Sequence, residues 1–483
     1  MKTNLSDKLQ YKIFHTVGET ADSMGRECYV VGGYVRDLII GRPSKDIDFV
    51  TVGSGIELAE AVGFKLGPKT HVAVYRNYGT AQIKRGDLEL EFVGARKESY
   101  HRESRNPIVE DGTLADDIAR RDFTINAMAI SVNEKSFGNL LDFYDGLGDI
   151  ERRLIRTPLD PDITFSDDPL RMLRAIRFAT QLQFEIFPET FEAIARNASR
   201  IEIITPERIK DELAKIMRSP KPSIGWDLLL RSGLLAIIMP ELAALKGVEV
   251  VNGRAHKDNF YHTLGVLDNV AAASDNEWLR WAALFHDIGK PVTKRFDRTL
   301  GWTFHNHNIV GAKMIPRIFK RLRMSLGSEM RYVKKLVDLH MRPIALVEEE
   351  VTDSAVRRLM NYAEEDLDDL MILARADITS KNEEKKQRFL DNFDLVEEKF
   401  REIRAKDAER AKRNPVDGLE IMKIFGLPQS PTVGFFVSNL KQAIKDCEIE
   451  DTREAALSYL LDLAEKNGIP VAEYPSELSN KDS

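Results

Sequence analysis

The sequence predicts a multidomain chain: an α/β (α+β) head, then an all-α neck, a histidine-bearing helical domain and a C-terminal helical module. Three observations predict it. At 483 residues the chain is too long for a single hydrophobic core. Strand-like apolar runs (Tyr29–Val31, Ile47–Val52, Leu88–Val93, Ala127–Val132) are confined to the first 150 residues, where they alternate with helical stretches. Beyond about residue 150 helical periodicity dominates. The expected division is 1–150 for the head, 151–250 for the neck, 251–380 for the histidine-rich domain and 381–475 for the C-terminal module.

Composition excludes several classes. With 30% charged and 43% hydrophobic residues, the chain has the make-up of a soluble globular protein. A net charge of −7 rules out a wholly basic nucleic-acid coat, so any RNA contact comes from local patches. The two cysteines, Cys28 and Cys447, provide neither a disulfide framework nor a cysteine-rich zinc site. The first residues lack an apolar signal core, and no apolar run is long enough to span a bilayer. The expectation is a cytoplasmic protein with no membrane partner.

In the head, the apolar run Cys28–Val31 reads as a strand, and Gly32-Gly33 turns the chain out of it. Two glycines let bare backbone N–H groups approach phosphate oxygens, and the short helix expected from Tyr34 adds an N-terminus that favours an anion. Asp46 and Asp48 follow on a second strand, where residues two apart project to one face. Two carboxylates there repel unless a cation lies between them, and Mg²⁺ with substrate phosphates is the usual solution. Glu91, in Glu89-Leu90-Glu91-Phe92-Val93, is open between a third metal-facing carboxylate and a solvent-facing strand residue. Residues 97–116 are polar, contain Pro107 and Gly112, and are expected to form a mobile loop.

Arg120-Arg121-Asp122-Phe123-Thr124-Ile125-Asn126 offers arginines for phosphates, with Asp122 and Asn126 for sugar hydroxyls. The plain alternative is a helix start with exposed charges. In Ser166–Ala179, Asp167 or Asp168 suits a helix cap and Pro169 a first turn, with Arg171, Arg174 and Arg177 on a basic face. Asp168 and Arg171, three apart, are expected to be neighbours on that helix. Together they could accept the amino donor and ring acceptor shared by cytosine and adenine while rejecting uracil and guanine.

The ordered set Gly32–Asp37, Asp46-Ile47-Asp48, Arg120–Ala127, Asp167–Arg171 and Glu207–Leu213 resembles the class II CCA-adding tRNA nucleotidyltransferases and the related bacterial poly(A) polymerases. The resemblance implies a nucleotidyltransferase-fold head in which Asp46 and Asp48 hold Mg²⁺. It implies that Gly32, Gly33 and Arg36 meet the triphosphate. Arg121, Asp122 and Asn126 would hold the nucleotide's sugar and phosphates, while Asp168 and Arg171, with Arg174 and Arg177 beside them, serve the base. The implied chemistry is two-metal transfer of C, C and A from CTP and ATP to the 3′-hydroxyl of tRNA. Residues 97–116 match the family's flexible loop. One departure is Asp167, where the family often has Glu; the shorter acid is assigned a capping or orienting role at most.

Of nine histidines, six fall between His256 and His340. His and Asp together form an N/O ligand set suited to Mn²⁺, Fe²⁺, Co²⁺, Ni²⁺ or Zn²⁺. The pattern resembles the HD phosphohydrolase superfamily. By that resemblance His262, His286, Asp287 and Asp377 are metal ligands, and His307 and His340 are the extra histidines of two-metal members. His256 and His305 fall outside the ligand set. Metal binding alone does not establish phosphohydrolase activity. A basic run from Lys313 to Lys335 is open between a phosphate surface and a solvated helix face. Residues 381–414 are expected to form a long amphipathic helix, with Phe389, Phe393, Val396 and Phe400 at helical spacing. Residues from Pro415 onward resemble the C-terminal module of HD-containing CCA enzymes, which reaches the tRNA elbow. A-adding, CC-adding and poly(A) enzymes share the head motifs, and the lack of a long basic C-terminal extension points away from the last. A phosphohydrolase with a non-catalytic RNA-binding head is the remaining alternative. The oligomeric state is left open.

Overall fold

The structure is a computed structural model that describes residues 3–101, 104–251, 254–255, 258–348, 352–379, 383–410, 415–446, 448–473 and 475. The chain divides into two compact units, Met1–Trp281 with Pro316–Met330, and Ala282–Ile315 with Arg331–Ser483.

The first unit begins with a seven-stranded mixed sheet in the order β3-β4-β5-β2-β1-β8-β9. Its strands are β1 (Cys28–Val31), β2 (Asp46–Thr51), β3 (Val72–Tyr75), β4 (Thr80–Arg85), β5 (Leu88–Gly94), β8 (Met128–Ser131) and β9 (Leu140–Asp142), with β6 (Arg96–His101) and β7 (Ser104–Asp111) forming a separate ribbon. Helices α1 (Lys12–Ser23), α2 (Gly33–Ile40) and α3 (Gly55–Leu66) alternate with the first strands, and α4 (Leu114–Ala119) follows the ribbon.

Residue alternation decides which face of β2 does chemistry. Ile47 and Phe49 are fully buried, and Phe49 stacks on Phe92 of β5 at 5.0 Å between ring centroids. Phe14 of α1 packs on Phe49 at 6.2 Å, so this face belongs to the core. The β2–β5 pair is parallel, with Phe49 opposite Phe92 and Asp48 opposite Glu91. The aromatic pair pins that register, because a one-residue slip would turn the carboxylates into the core.

The stretch 97–116 is not the mobile loop expected from its composition. Its described residues form the antiparallel β6–β7 ribbon, with Arg96 opposite Asp111 and Lys97 opposite Glu110, followed by α4 under a Thr113–Asp116 capping box. Alternating charges satisfied by cross-strand pairing look like solvated loop when no partner strand is known.

The neck is helical: α5 (Gly146–Arg152), α6 (Pro161–Asp167), α7 (Leu170–Leu182), α8 (Pro188–Asn197) and α9 (Pro206–Met217). Proline opens α6, α8 and α9 at the first turn, where a missing N–H costs nothing. Arg280, 5% exposed, ties the end of α9 to its surroundings. It donates to the carbonyls of Met217 (3.0 Å), Ser219 (3.3 Å), Ala271 (3.3 Å) and Ser274 (3.1 Å), which would otherwise be orphaned helix ends. Arg280→Met should therefore lower stability by about 3 kcal/mol, read as a melting temperature several degrees lower. An unchanged melting temperature would show that water satisfies those carbonyls equally well.

In the second unit, the long amphipathic helix expected over 381–414 is present as Glu383–Arg410, with Phe393, Val396 and Phe400 buried. A last helical cluster, Gly418–Phe425, Pro431–Lys445 and Arg453–Lys466, packs around Phe425 stacked on Phe436 at 4.8 Å.

Candidate active site and metal centre

The Gly-Gly turn and the carboxylate pair meet in the head. Gly32 caps α2 at φ 74°, a left-handed conformation that favours glycine. A Cβ placed there would sit 3.0 Å from an Arg121 guanidinium nitrogen and 3.4 Å from Asp48 Oδ2. The turn is therefore bare backbone because a cation and a carboxylate close in on it. Val31, just before the turn, is opposite Asp48, which is opposite Glu91 on the other side. Asp46, Asp48 and Glu91 thus share one face of adjacent strands. Burial, with Glu91 and Asp46 adding repulsion, raises the Asp48 pKa to about 6 even though the Arg121 charge opposes the rise.

Arg121 is aimed from below by Asp117 of α4. This carboxylate is fully buried and pairs with Arg121 at 3.0 Å and with Arg120 at 2.5 Å. Burial disfavours its charge, but Arg121 and Arg120 more than offset that and its pKa is lowered. Sequence reasoning missed Asp117, although a carboxylate three and four residues ahead of two arginines is a legible helical ion-pair signal.

A second network begins at Arg36, which is buried, donates to Asp37 at 2.9 and 3.0 Å, and donates to Asn126 Oδ1 at 2.8 Å. Asn126 Nδ2 donates to Asp122 Oδ1 at 3.1 Å, and Arg174 reaches Asp122 Oδ2 at 2.6 Å. Burial would raise the Asp122 pKa, but Arg174 and the Asn126 bond dominate and lower it to about 2. Arg177 pairs with the buried Glu212 of α9 at 2.7 Å.

The expected Asp168–Arg171 pairing on one helix face is corrected. Asp168 lies before Pro169, in extended conformation, and caps α7 by accepting from the Leu170 N–H at 3.1 Å. Its other oxygen faces Arg208 at 3.4 Å, while Arg171 donates to the Arg120 carbonyl at 2.8 Å. The proline ends α6 at Asp167, which removes Asp168 from helical spacing.

The second unit gathers five of the six residues expected there as ligands. His307 Nε2 lies 3.3 Å from Asp287 Oδ1 and 3.3 Å from His340 Nε2. His286 Nε2 lies 3.3 Å from Asp287 Oδ2 and 3.6 Å from Asp377 Oδ1. Each ring has its Nδ1 against a backbone carbonyl three residues back: His286 on Ala283 (2.7 Å), His307 on Phe304 (2.8 Å), His340 on Val337 (2.7 Å). That pattern fixes the tautomer and turns three Nε2 lone pairs toward Asp287, an N/O donor set that fits a transition metal. Gly289 allows the approach, since a Cβ there would lie 2.1 Å from the His307 carbonyl oxygen. Lys290 Nζ reaches Asp287 Oδ2 at 2.6 Å. Burial favours neutral His286, but Asp287 and Asp377 overcome it and raise its pKa, whereas burial and the His286 charge push His340 down to about 4.

His262, 9% exposed, is carried by helix Asn259–Ala273 of the first unit. His305 is exposed, and His256 lies outside the described residues. In the basic run, Arg321 pairs with Glu241 at 2.6 Å and Lys335 with Asp366 at 2.7 Å, so both are committed to the fold.

Comparison with known proteins agrees with these groupings. Three family models match in chain order: the poly A polymerase head domain over residues 28–156, the probable RNA and SrmB-binding site of polymerase A over 183–246, and the HD domain over 259–382. An A-adding tRNA nucleotidyltransferase of Deinococcus radiodurans is 31% identical over 438 residues, which is 88% of this chain and 93% of that protein. The chain belongs to the tRNA nucleotidyltransferase/poly(A) polymerase family. Within that family it is also 33% identical over 308 residues to a multifunctional CCA protein of Shewanella frigidimarina, covering 61% of this chain and 69% of that one. A crystal structure of a tRNA nucleotidyltransferase complexed with a primer tRNA and an incoming ATP analogue covers 80% of this chain and 99% of its own, at TM-score 0.57 and 26% identity. The chain is thus an HD-containing nucleotidyltransferase. Head and HD domains both imply dependence on divalent metal. Among the described residues no helix is long and apolar enough to cross a membrane.

Proposed function

We propose that this chain is a template-independent enzyme that adds C, C and A to the 3′ end of tRNA from CTP and ATP. The observation that carries the reading is the register-locked group Asp46, Asp48 and Glu91, facing the bare backbone of Gly32. These hard oxygen donors, with one carboxyl held protonatable by its neighbours, fit Mg²⁺. When bound there, Mg²⁺ would supply charge neutralisation for displacement at the α-phosphorus.

The remaining roles fall to the protein. Gly32 and Gly33 receive the triphosphate on backbone N–H groups, beside Arg36 and Arg121. Asp122 and Asn126, with Arg174 and Arg177 behind them, orient the sugar and phosphates. Asp168, steered by Arg208, and Arg171, steered by the Arg120 carbonyl, present acceptor and donor to the base edge. The neck after residue 150 and the module after 381 carry the tRNA, and the enzyme works in the cytoplasm.

The same residues serve an A-adding enzyme, the activity for which the D. radiodurans relative is named. Incubating the chain with tRNAs ending before C74, after C75 or complete, with CTP, ATP or both, and sequencing the 3′ ends separates the two. Full addition to the shortest tRNA supports the proposal; addition only after C75 makes this an A-adding enzyme, and no addition to any substrate overturns the reading.

The Asp48 shift also sets a pH dependence. A carboxyl raised from 3.8 to about 6 holds its proton in the folded chain between those values, so its contribution to metal-free stability falls as pH rises through that window. Holding Mg²⁺ requires the ionised form. Apparent Mg²⁺ affinity, measured by titration calorimetry, should weaken about tenfold per pH unit below about 6 and level off above 7. A flat profile from pH 5 to 8 would remove Asp48 from the binding step.

A second activity is favoured by the buried His286, Asp287, His307, His340 and Asp377 group, which fits Mn²⁺, Fe²⁺, Co²⁺, Ni²⁺ or Zn²⁺, with His262 as a sixth candidate. We assign it phosphohydrolase chemistry on 2′,3′-cyclic or terminal phosphates. Metal-supplemented hydrolysis of a 2′,3′-cyclic nucleotide, absent in His286→Ala, tests it; no turnover by the parent chain leaves the domain a scaffold.

A further inference from the structure

We propose that Phe178 is a positioning residue for the incoming nucleotide, its ring setting the orientation of the Arg36, Arg174 and Arg177 guanidinium groups. The inference rests on the nucleotidyltransferase reading above and goes beyond it, since Phe178 carries no group that could touch a metal or transfer a proton.

Three guanidinium carbons surround this one ring, at 4.9 Å for Arg36, 5.5 Å for Arg174 and 4.0 Å for Arg177. Each lies within the range where the ring's negative face attracts a cation. Helical spacing supplies two of them, because Arg174 is one turn before Phe178 on α7 and Arg177 is its neighbour. The third comes from α2, in the head. The ring itself is held, being 6% exposed and meeting Phe123 edge to face at 5.8 Å and 81°.

The contacts close a loop. Hydrogen bonds run from Asp37 to Arg36, Asn126, Asp122 and Arg174. Phe178 then joins the last arginine of that chain back to the first. Each cation also has its own carboxylate: Asp37 for Arg36, Asp122 for Arg174, Glu212 for Arg177. Charge is thus balanced without the ring, and what the ring adds is direction. Direction matters at Arg36, whose guanidinium lies 3.6 Å from where a side chain at Gly33 would start, at the mouth of the phosphate cradle.

A leucine would fill most of the ring's volume but has no negative face, whereas tyrosine keeps the face. The test measures equilibrium binding of Mg·ATP and steady-state addition to tRNA for the parent, Phe178→Leu and Phe178→Tyr, each checked for a cooperative melting transition. Phe178→Leu should bind ATP about tenfold more weakly and raise the KM for ATP and CTP by a similar factor, with kcat and the KM for tRNA changed less than about threefold. Phe178→Tyr should restore most of the loss. A merely structural ring would instead lower kcat through a smaller active fraction and leave nucleotide KM alone. Parental nucleotide binding in a folded Phe178→Leu protein, or equal loss in the Leu and Tyr variants, would overturn the inference. Failure of the parent itself to bind ATP would defeat the nucleotidyltransferase reading, and this inference with it.

Discussion

Asp48→Ala should abolish nucleotide addition and leave the chain as stable as the parent, or more so. The two halves of this expectation have one cause. Asp48 is half-buried opposite Glu91, with Asp46 two residues away on the same face and Arg121 as the cation beside it. Its raised pKa means that ionising it costs the folded chain more than the unfolded one, so at pH 7 without metal the carboxylate works against folding. Removing it relieves repulsion with Glu91 and Asp46. The same change removes a hard oxygen donor from a site built from three, and the charge of the reacting phosphates is then unopposed. We expect a loss of about three orders of magnitude or more in kcat. End-labelled tRNA with CTP and ATP reads the activity, and calorimetry in chelator reads the stability. An Asp48→Ala protein that adds CMP at near-parental rate would refute the metal assignment; one that is inactive only because it is unfolded would refute the account of the crowded face.

How much of this was legible in the sequence depended on the distance over which each argument ran. Gly32-Gly33 and Asp46-Ile47-Asp48 were readable because a turn and an i, i+2 pair on a strand are local. The status of Glu91 was not, because it depends on β5 lying parallel to β2 in one register, and Phe49 on Phe92 sets that register across more than forty residues. The β6–β7 ribbon was misread because its charges satisfy one another only once the strands pair. Asp168 was misplaced by applying helical spacing across Pro169, which the chain does not obey. The histidine cluster was readable as a set of ligand types, since six histidines in so short a stretch are hard to explain otherwise. What could not be read was their common tautomer, because each Nδ1 is fixed by a carbonyl whose position only the fold supplies. Phe178 gave no sequence signal at all, being one more apolar residue on an amphipathic helix.

That common tautomer makes a strong prediction for the second unit. Three Nε2 lone pairs and two carboxylates converge around a buried Asp287, and within the group described here the nearest cation is Lys290, 2.6 Å from Asp287 Oδ2. Burying this many acceptors together is costly unless a proton or a metal lies among them. In metal-free protein a proton does so, which is why His286 is raised while His340 is driven down to about 4. A divalent ion would replace that proton and share Asp287 with Lys290. Adding Mn²⁺, Co²⁺, Ni²⁺, Fe²⁺ or Zn²⁺ to chelator-treated protein should therefore raise its melting temperature, by about 4 kcal/mol of stabilisation at a thousandfold excess over Kd, and release protons as it binds. Mg²⁺ should do little here, because imidazole nitrogens are poor ligands for it. His340→Ala removes one neutral imidazole from the set and should abolish most of the shift, while Asp48→Ala, in the other unit, should leave it intact. If none of the five ions moves the transition of the parent protein, or if His340→Ala responds to them as the parent does, the cluster is a buried polar network and not a metal centre.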